Sequence, residues 1–199
     1  MYDIIDINFL KPIEMVFKYH LKNLSDSILS TGILNVPVIV DKVSGAVLDG
    51  SHRYVFFLQN GYTDIPVKFV EYSDENIRVG SLLIHRFLVD KHLNISKKEV
   101  IDRAKSGNLF PPRTTRHFFP FRKNEYINFK IDDLDRGVYR NVDHLILNSD
   151  VNDEIDMNTG YLNEIEVEFD ELIKYMEELR QTKEYIKLQV KSMRNYVKI

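Results

Sequence analysis

The sequence predicts an α/β fold, a small mixed sheet flanked by helices. Strand and helix signals alternate along residues 33–70, the pattern of a sheet with helices packed on it. A turn at Asp49-Gly50-Ser51 joins the end of one predicted strand directly to a helix. The chain has 199 residues, of which 44% are hydrophobic. It can therefore bury a core and is expected to form one domain with an appended element.

Apolar spacing and turn residues locate the elements of the first 70 residues. In order they are a strand at 3–10, a helix at 17–30, strands at 36–40 and 46–48, a helix at 52–59 and a strand at 65–70. Lys11-Pro12 ends the first strand, and Thr31-Gly32 is expected to stop the first helix.

Three further segments follow before the character of the sequence changes. Residues 78–90 are predicted as a strand, although a helix fits them as well. Ser96 and Glu99 form a capping-box pattern that opens a helix, and Gly107 ends it. Residues 109–121 are rich in Pro, Arg and His, and we expect a loop or an extended segment there.

A predicted boundary after residue 134 separates a main domain, 1–134, from an extension, 135–199. Residues 135–161 are polar and rich in Asn and Asp, which indicates a linker. Apolar residues at helical spacing then predict a long amphipathic helix: Ile165, Phe169, Leu172, Ile173, Met176, Leu179, Ile186, Val190, Met193 and Val197. Because such a stripe needs burial, the helix is expected either to pack across the core or to pair two subunits as a homo-oligomer.

The composition excludes several classes of function. The chain has no cysteine, so disulfides, thiolate metal sites and thiol catalysis are excluded. With 27 basic and 30 acidic residues the net charge is −3, which disfavours a nucleic-acid partner. No signal-peptide pattern and no membrane-length apolar run is visible, so the expectation is a cytoplasmic protein without a membrane partner.

The first candidate for chemistry is the turn from Asp49 to Arg53. A glycine turn that feeds a helix N-terminus presents backbone N–H groups and the positive end of the helix dipole, which suit phosphate. His52 and Arg53 would add donors and charge, and Asp49 would hold a metal ion or accept a proton. The alternative is that Asp49 only caps the helix and Arg53 is solvated.

The second candidate carries two guanidiniums, two hydroxyls and an imidazole within five residues: Arg113, Thr114, Thr115, Arg116 and His117. Arginine forks bind phosphate or carboxylate oxygens bidentately, and hydroxyls add donors. Neighbouring phenylalanines indicate a segment packed into a site, with a solvated basic loop as the alternative.

Other titratable residues give weaker signals. Glu14, after Lys11-Pro12-Ile13, indicates by itself only a surface acid. The isolated histidines show no metal-ligand spacing, and we interpret them as structural or exposed: His20, His85, His92 and His144.

Three segments, in this order, resemble motifs of the ParB/sulfiredoxin superfamily, and more closely of its free L-serine kinase branch. The family motif D-G-H-H-R appears as Asp49-Gly50-Ser51-His52-Arg53, and K-P-H-E appears as Lys11-Pro12-Ile13-Glu14. P-K-T-T-R-H appears as Pro112-Arg113-Thr114-Thr115-Arg116-His117. The likeness runs over residues 3–134, so 1–134 would be a ParB N-terminal/sulfiredoxin-like catalytic domain.

The resemblance implies a kinase that transfers a phosphoryl group from ADP or ATP, with Mg²⁺, to the hydroxyl of free L-serine. Glu14 would activate that hydroxyl, and Asp49 would assist as a base or by holding Mg²⁺. Contacts with the nucleotide phosphates would come from Gly50, Ser51, His52, Arg53, Thr115, Arg116 and His117. Contacts with the amino acid would come from Arg113 and Thr114.

Three departures from the motifs leave the acceptor and the donor nucleotide open. Ser51 and Ile13 each replace a motif histidine, and Arg113 replaces a lysine. The alternatives are a kinase of the same mechanism for another small hydroxyl substrate, and a non-catalytic nucleotide-binding module. Sulfiredoxin chemistry is excluded because its cysteine would stand at Ser51. A partition protein is disfavoured, since the 65 residues at 135–199 leave little room for a DNA-binding domain.

Overall fold

A computed structural model describes residues 2–80, 95–121, 126–148, 170 and 172–191. Its strands and helices, in chain order, are β1 (Asp3–Asp6), β2 (Val16–Phe17), α1 (Lys18–Thr31), β3 (Ile33–Leu34), β4 (Val38–Asp41), β5 (Val47–Asp49), α2 (Ser51–Gln59), β6 (Asp64–Val70), β7 (Arg78–Gly80), α3 (Lys97–Ser106), β8 (Arg116–Phe118), β9 (Phe129–Lys130) and β10 (Ile146–Leu147). A last helix covers residues 172–191. The predicted α/β class is confirmed.

The centre of the fold is a four-stranded mixed sheet in the order β1-β6-β4-β5. Strands β4 and β6 are parallel, whereas β1 with β6 and β4 with β5 are antiparallel. A parallel pair needs a crossover connection, and the β5–α2 segment supplies it. The sheet therefore places the end of β5 and the start of α2 at one of its edges.

Strand β4 joins two hydrophobic cores because all four of its residues are buried. Val38 and Val40 pack in the larger core with residues of α1 and α2, and Ile39 packs in the second core with Val100 and Ala104 of α3. Successive side chains of a strand point to opposite faces. Helices consequently cover both faces of the sheet.

The ends of the helices follow the predicted stop and start signals. Gly32 ends α1 in the left-handed region at φ 66°, and its N–H donates to the Ile28 carbonyl at 2.8 Å. The Ser96 hydroxyl accepts the Glu99 N–H at 3.1 Å at the start of α3. The strand predicted at 3–10 was too long: β1 ends at Asp6, whose carboxylate accepts the N–H of Asn8 at 2.7 Å and starts a 3-10 turn.

The packed unit extends beyond the boundary predicted at residue 134. Val142 and Leu145 are buried in the larger core, and β10 pairs in parallel with β2. The division of the chain at this point stays a prediction. Most of the strand predicted at 78–90 lies outside the described residues, since β7 covers Arg78–Gly80 and the description resumes at residue 95.

The helix over residues 172–191 leaves its apolar side chains exposed. Met176 is 62% exposed and Ile186 is 54% exposed. In the part of the chain that the structure describes, none of the helices has the length and hydropathy of a membrane span.

Candidate functional site

Backbone pairing places the segment before Glu14 between the two other motifs. The Val47 N–H donates to the carbonyl of Lys11 at 2.9 Å, which attaches the segment to the start of β5. The Phe110 N–H donates to the carbonyl of Ile13 at 2.9 Å, which attaches it to the chain before Arg113. Three segments far apart in sequence thus meet at one edge of the sheet.

A cavity of about 510 Å³ lies where these segments meet. Its lining contains every predicted site residue except Thr114, together with His20, Leu24 and Leu48: Glu14, Asp49, Gly50, Ser51, His52, Arg53, Arg113, Thr115, Arg116 and His117. Thr114 is buried instead, and its hydroxyl donates to the Pro111 carbonyl at 2.8 Å. The structure therefore brings together nearly the whole predicted set.

Glu14 faces the cavity because its neighbour Ile13 occupies the second core. One carboxylate oxygen of Glu14 accepts the N–H of Thr115 at 3.2 Å and its hydroxyl at 3.0 Å. Burial raises the pKa of Glu14 to about 7, the hydrogen bonds from Thr115 oppose that rise, and the charge of Asp49 adds to it. A carboxyl with this pKa exchanges its proton near neutral pH.

The loop that holds Glu14 has a left-handed residue at its centre. Arg113 has φ 59°, a conformation that costs a non-glycine residue about 1–2 kcal/mol. The N–H of Thr115, two residues after Arg113, donates to the Glu14 carboxylate at 3.2 Å. Hydrogen bonds from the backbone of this loop lower the pKa of Glu14 against the larger effect of burial.

Arg53 binds groups of the protein on three sides. One guanidinium nitrogen donates to Asp49 at 2.7 Å, and another donates to the carbonyls of Val36 at 2.9 Å and Pro37 at 2.7 Å. The Arg53 and Asp49 side chains are 15% and 23% exposed. Arg53 therefore fixes the first turn of α2 and the orientation of Asp49.

Gly50 makes the close turn between β5 and α2. Its φ is 99°, and a Cβ at this position would lie 2.9 Å from the Arg53 guanidinium. Helix α2 begins after Gly50 with no side-chain cap and no acidic residue in its first turn. The positive end of the helix thus faces the cavity without a competing carboxylate of its own.

His52 is neutral because burial, with the nearby charges of His20, Arg113 and Arg53, lowers its pKa to about 3. Its Nε2 atom accepts the Phe17 N–H at 3.1 Å, so the proton lies on Nδ1. His52 can accordingly offer a neutral N–H donor to a ligand, but no positive charge.

His20 lies in the cavity although its isolated position in the sequence indicated a structural or exposed residue. Its ring is 4.4 Å from the ring of His52. No local signal identifies His20, because only the packing of α1 on α2 brings it to the motif.

Tyr72 orients His117 from the second core. The Tyr72 hydroxyl lies 2.8 Å from Nε2 of His117, and the Tyr72 N–H donates to Asp41 at 3.0 Å. Burial raises the pKa of Tyr72, so this hydroxyl keeps its proton. Sequence reasoning did not identify Tyr72, which is far from the three motifs along the chain.

Two carboxylates, Glu14 and Asp49, face the cavity among its described residues. The described part of the chain has no cluster of three or more potential metal ligands. Mg²⁺ commonly binds one or two carboxylates together with nucleotide phosphates and water. The residues therefore fit an ion that arrives with a nucleotide better than a site built from protein ligands alone.

Two curated proteins resemble parts of this chain, whereas no family model matches it. An alignment of 80 residues, which covers 38% of the chain, is 34% identical to the ATP-dependent L-serine kinase of Staphylothermus marinus. A 43-residue segment, 22% of the chain, is 44% identical to a ParB-like protein of Sulfolobus acidocaldarius. These segments span 32% and 22% of the lengths of the two relatives.

A solved structure of a free serine kinase in complex with AMP has the same fold. It matches with a TM-score of 0.58 over 67% of this chain and 93% of that chain, at 17% identity. The predicted resemblance to free serine kinases and ParB-like proteins is confirmed.

Proposed function

We propose that this chain transfers a phosphoryl group from ATP or ADP to the hydroxyl of free L-serine. The main support is Glu14, a carboxyl with a pKa of about 7 in a cavity that also contains the N-terminus of α2 and three arginines. A base that titrates near neutral pH suits the deprotonation of an alcohol. The name of the Staphylothermus marinus relative supports the same reaction and favours ATP as donor.

In the proposed reaction Glu14 accepts the proton of the serine hydroxyl while its oxygen bonds to the terminal phosphorus of the nucleotide. The bond from that phosphorus to the bridging oxygen breaks, and the departing nucleotide keeps the electron pair. Phosphoryl transfer depends mainly on positioning and charge neutralisation. The N–H groups at the start of α2 and the guanidiniums of Arg113 and Arg116 would supply both.

Asp49 would hold Mg²⁺ together with the nucleotide phosphates. The bound ion would neutralise phosphate charge. The ion pair with Arg53 keeps Asp49 at the end of β5 and oriented to the cavity. Ser51, the neutral His52 and His117 would add donors to the phosphates. Thr115 would act on the phosphates through Glu14, because its N–H and its hydroxyl both donate to that carboxylate.

Arg113 is the residue that we assign to the carboxylate of the amino acid. Arg113 lines the cavity, where its charge lowers the pKa of His52, whereas the Thr114 hydroxyl donates to a backbone carbonyl. Thr114 would therefore act on the amino acid indirectly, through the shape of its loop. A cytoplasmic location and the absence of a nucleic-acid partner stay predictions.

A phosphoryl-transfer assay with Mg²⁺, ATP or ADP, and L-serine tests the proposal. We expect O-phosphoserine from the unmodified protein and a loss of about 10²- to 10⁴-fold in kcat for Glu14→Gln, because the amide cannot accept a proton. Glu75→Gln is the matched control, since Glu75 is exposed on the surface, and it should keep full activity.

Other acceptors separate the remaining alternatives. Product with a different small alcohol but not with L-serine would keep the mechanism and replace the substrate. Nucleotide binding without transfer to any acceptor would reject the kinase and favour a non-catalytic nucleotide-binding module.

A further inference from the structure

The helix over residues 172–191 repeats its apolar residues every seven positions. In heptad notation position a holds Met176, Lys183 and Val190, and position d holds Leu172, Leu179 and Ile186. A repeat averaging 3.5 residues keeps this seam on one side of a helix that winds around a partner helix. The same spacing continues in the sequence at Phe169, Met193 and Val197, which lie outside the described residues.

This seam faces solvent. Met176 is 62%, Leu179 51% and Ile186 54% exposed. An apolar stripe on an exposed helix, here interrupted at Lys183, is characteristic of an interaction surface. The regular heptad spacing specifies what fits it, because an a/d seam packs against another helix with an a/d seam.

We infer that this helix pairs two copies of the chain as a parallel two-stranded coiled coil. A second copy carries the same seam and so completes every layer. Valine at a and leucine at d favour two strands, as at Val190 and at Leu172 and Leu179.

Charges beside the seam favour the parallel orientation. Position e holds Ile173, Arg180 and Lys187, whereas position g holds the neutral residues Tyr175, Thr182 and Gln189. In a parallel pair the e residues of one helix face the g residues of the other, so cations meet neutral side chains. In an antiparallel pair e faces e, and the cations of the two helices would repel one another.

Lys183 sets the register of the pair. In a parallel dimer the two Lys183 side chains share one a layer, where their stems pack and their ammonium groups extend to the solvent. A single polar residue at position a costs stability but penalises shifted alignments. Lys183→Leu should therefore tighten the dimer by about tenfold or more in dissociation constant.

The molar mass of the full chain in solution, by sedimentation equilibrium, tests the pairing. We expect a dimer with twice the 23.5 kDa of one chain. Leu179→Glu at position d should reduce the mass to that of one chain at concentrations where the unmodified protein is dimeric. Leu188→Glu is the matched control, because Leu188 is 67% exposed at position f and lies away from the seam.

Two results would overturn the pairing. One is an unmodified chain that sediments with the mass of one chain at every concentration, which would leave the seam to a different partner. The other is equal dissociation of the two glutamate variants. Neither result depends on phosphoryl transfer, so failure of the kinase proposal and failure of this one are distinguishable.

The orientation is testable because the chain has no cysteine. In Val190→Cys, a parallel dimer places the two thiols in one layer, and oxidised glutathione should accept their electrons and protons and leave an interchain disulfide. An antiparallel dimer packs position a against position d of the partner, so residue 190 lies opposite residue 172 or residue 179 and not opposite its own copy. Cross-linking only in mixtures of Val190→Cys chains with Leu172→Cys or Leu179→Cys chains would reject the parallel arrangement.

Discussion

Burial makes the Glu14 carboxylate a stronger base than an exposed one, because it raises the pKa of the group. Because burial raises its pKa to about 7, the group is protonated and inactive below that pH and accepts a proton above it. The rate of phosphoryl transfer should consequently rise with pH through neutrality. The hydrogen bond from the Thr115 hydroxyl lowers the pKa of Glu14, because it stabilises the carboxylate; burial raises the same pKa by more.

Thr115→Val tests this balance. The substitution removes the hydroxyl donated to Glu14 at 3.0 Å and keeps the backbone N–H. A hydrogen bond to a charged group contributes about 1.5–3 kcal/mol, and 1.36 kcal/mol corresponds to one pH unit. The midpoint of kcat/KM against pH should therefore move to higher pH by about one to two units.

Thr114→Val is the matched control for that shift. The Thr114 hydroxyl donates to the Pro111 carbonyl and not to Glu14, so the midpoint should stay in place whatever happens to the absolute rate. A midpoint that moves equally in both variants would mean that the loop, and not the hydroxyl of Thr115, sets the pKa of Glu14.

The sequence identified residues of the site where they stand next to one another along the chain. Asp49 and His52 belong to one contiguous motif, and that motif is enough to predict that both residues line a phosphate-binding turn. His20 and Tyr72 were missed because α1 packing on α2 and the second core bring them to the site. The neutral state of His52 was also not foreseen, since burial depends on the assembled fold.

At the scale of the element, local signals predicted the helices better than the strands. The stop at Gly32 and the cap at Ser96 are properties of a few adjacent residues. Strand β8 was expected only as a loop or extended segment, because its partner is β7, some forty residues earlier in the chain. The first strand was predicted too long because the turn at Asp6 competes with continued pairing.

The start of α2 depends on the ion pair between Arg53 and Asp49. Arg53→Ala would leave a partly buried carboxylate and the carbonyls of Val36 and Pro37 without their donor. We expect the free energy of unfolding to fall by about 2–4 kcal/mol, measured by urea denaturation. Nucleotide affinity should fall with it, because Gly50 and the first turn of α2 lose their support.

Lys22→Ala is the matched control for this prediction. Lys22 and Asp26 have the same four-residue spacing in a helix and a similar distance of 2.8 Å, but their side chains are 68% and 62% exposed. Exposed pairs contribute little, so the change should stay within about 0.5 kcal/mol. Equal losses in the two variants would show that burial is not what makes the Arg53 pair important.

At the scale of the whole molecule, the net charge is −3, but the cavity carries local positive charge. Arg113, Arg116 and the N-terminus of α2 line the same space. Overall charge predicted the absence of a nucleic-acid partner, but it carries no information about a site for one small anion. The convergence of three segments at one sheet edge creates that site.

The cavity and the coiled-coil seam lie in different parts of the chain. A variant that is truncated after residue 148 keeps the cavity and lacks the seam, so it tests the two independently. Every described residue that lines the cavity lies between Glu14 and His117, and the described members of both cores end at Ile146. The shortened chain should therefore keep its fold and its kcat per subunit, while its mass falls to that of a monomer. Thermal unfolding, sedimentation and the phosphoryl-transfer assay measure these three properties. A stable, nucleotide-binding monomer with little transfer would instead show that pairing, or residues 149–199, completes the acceptor side of the site.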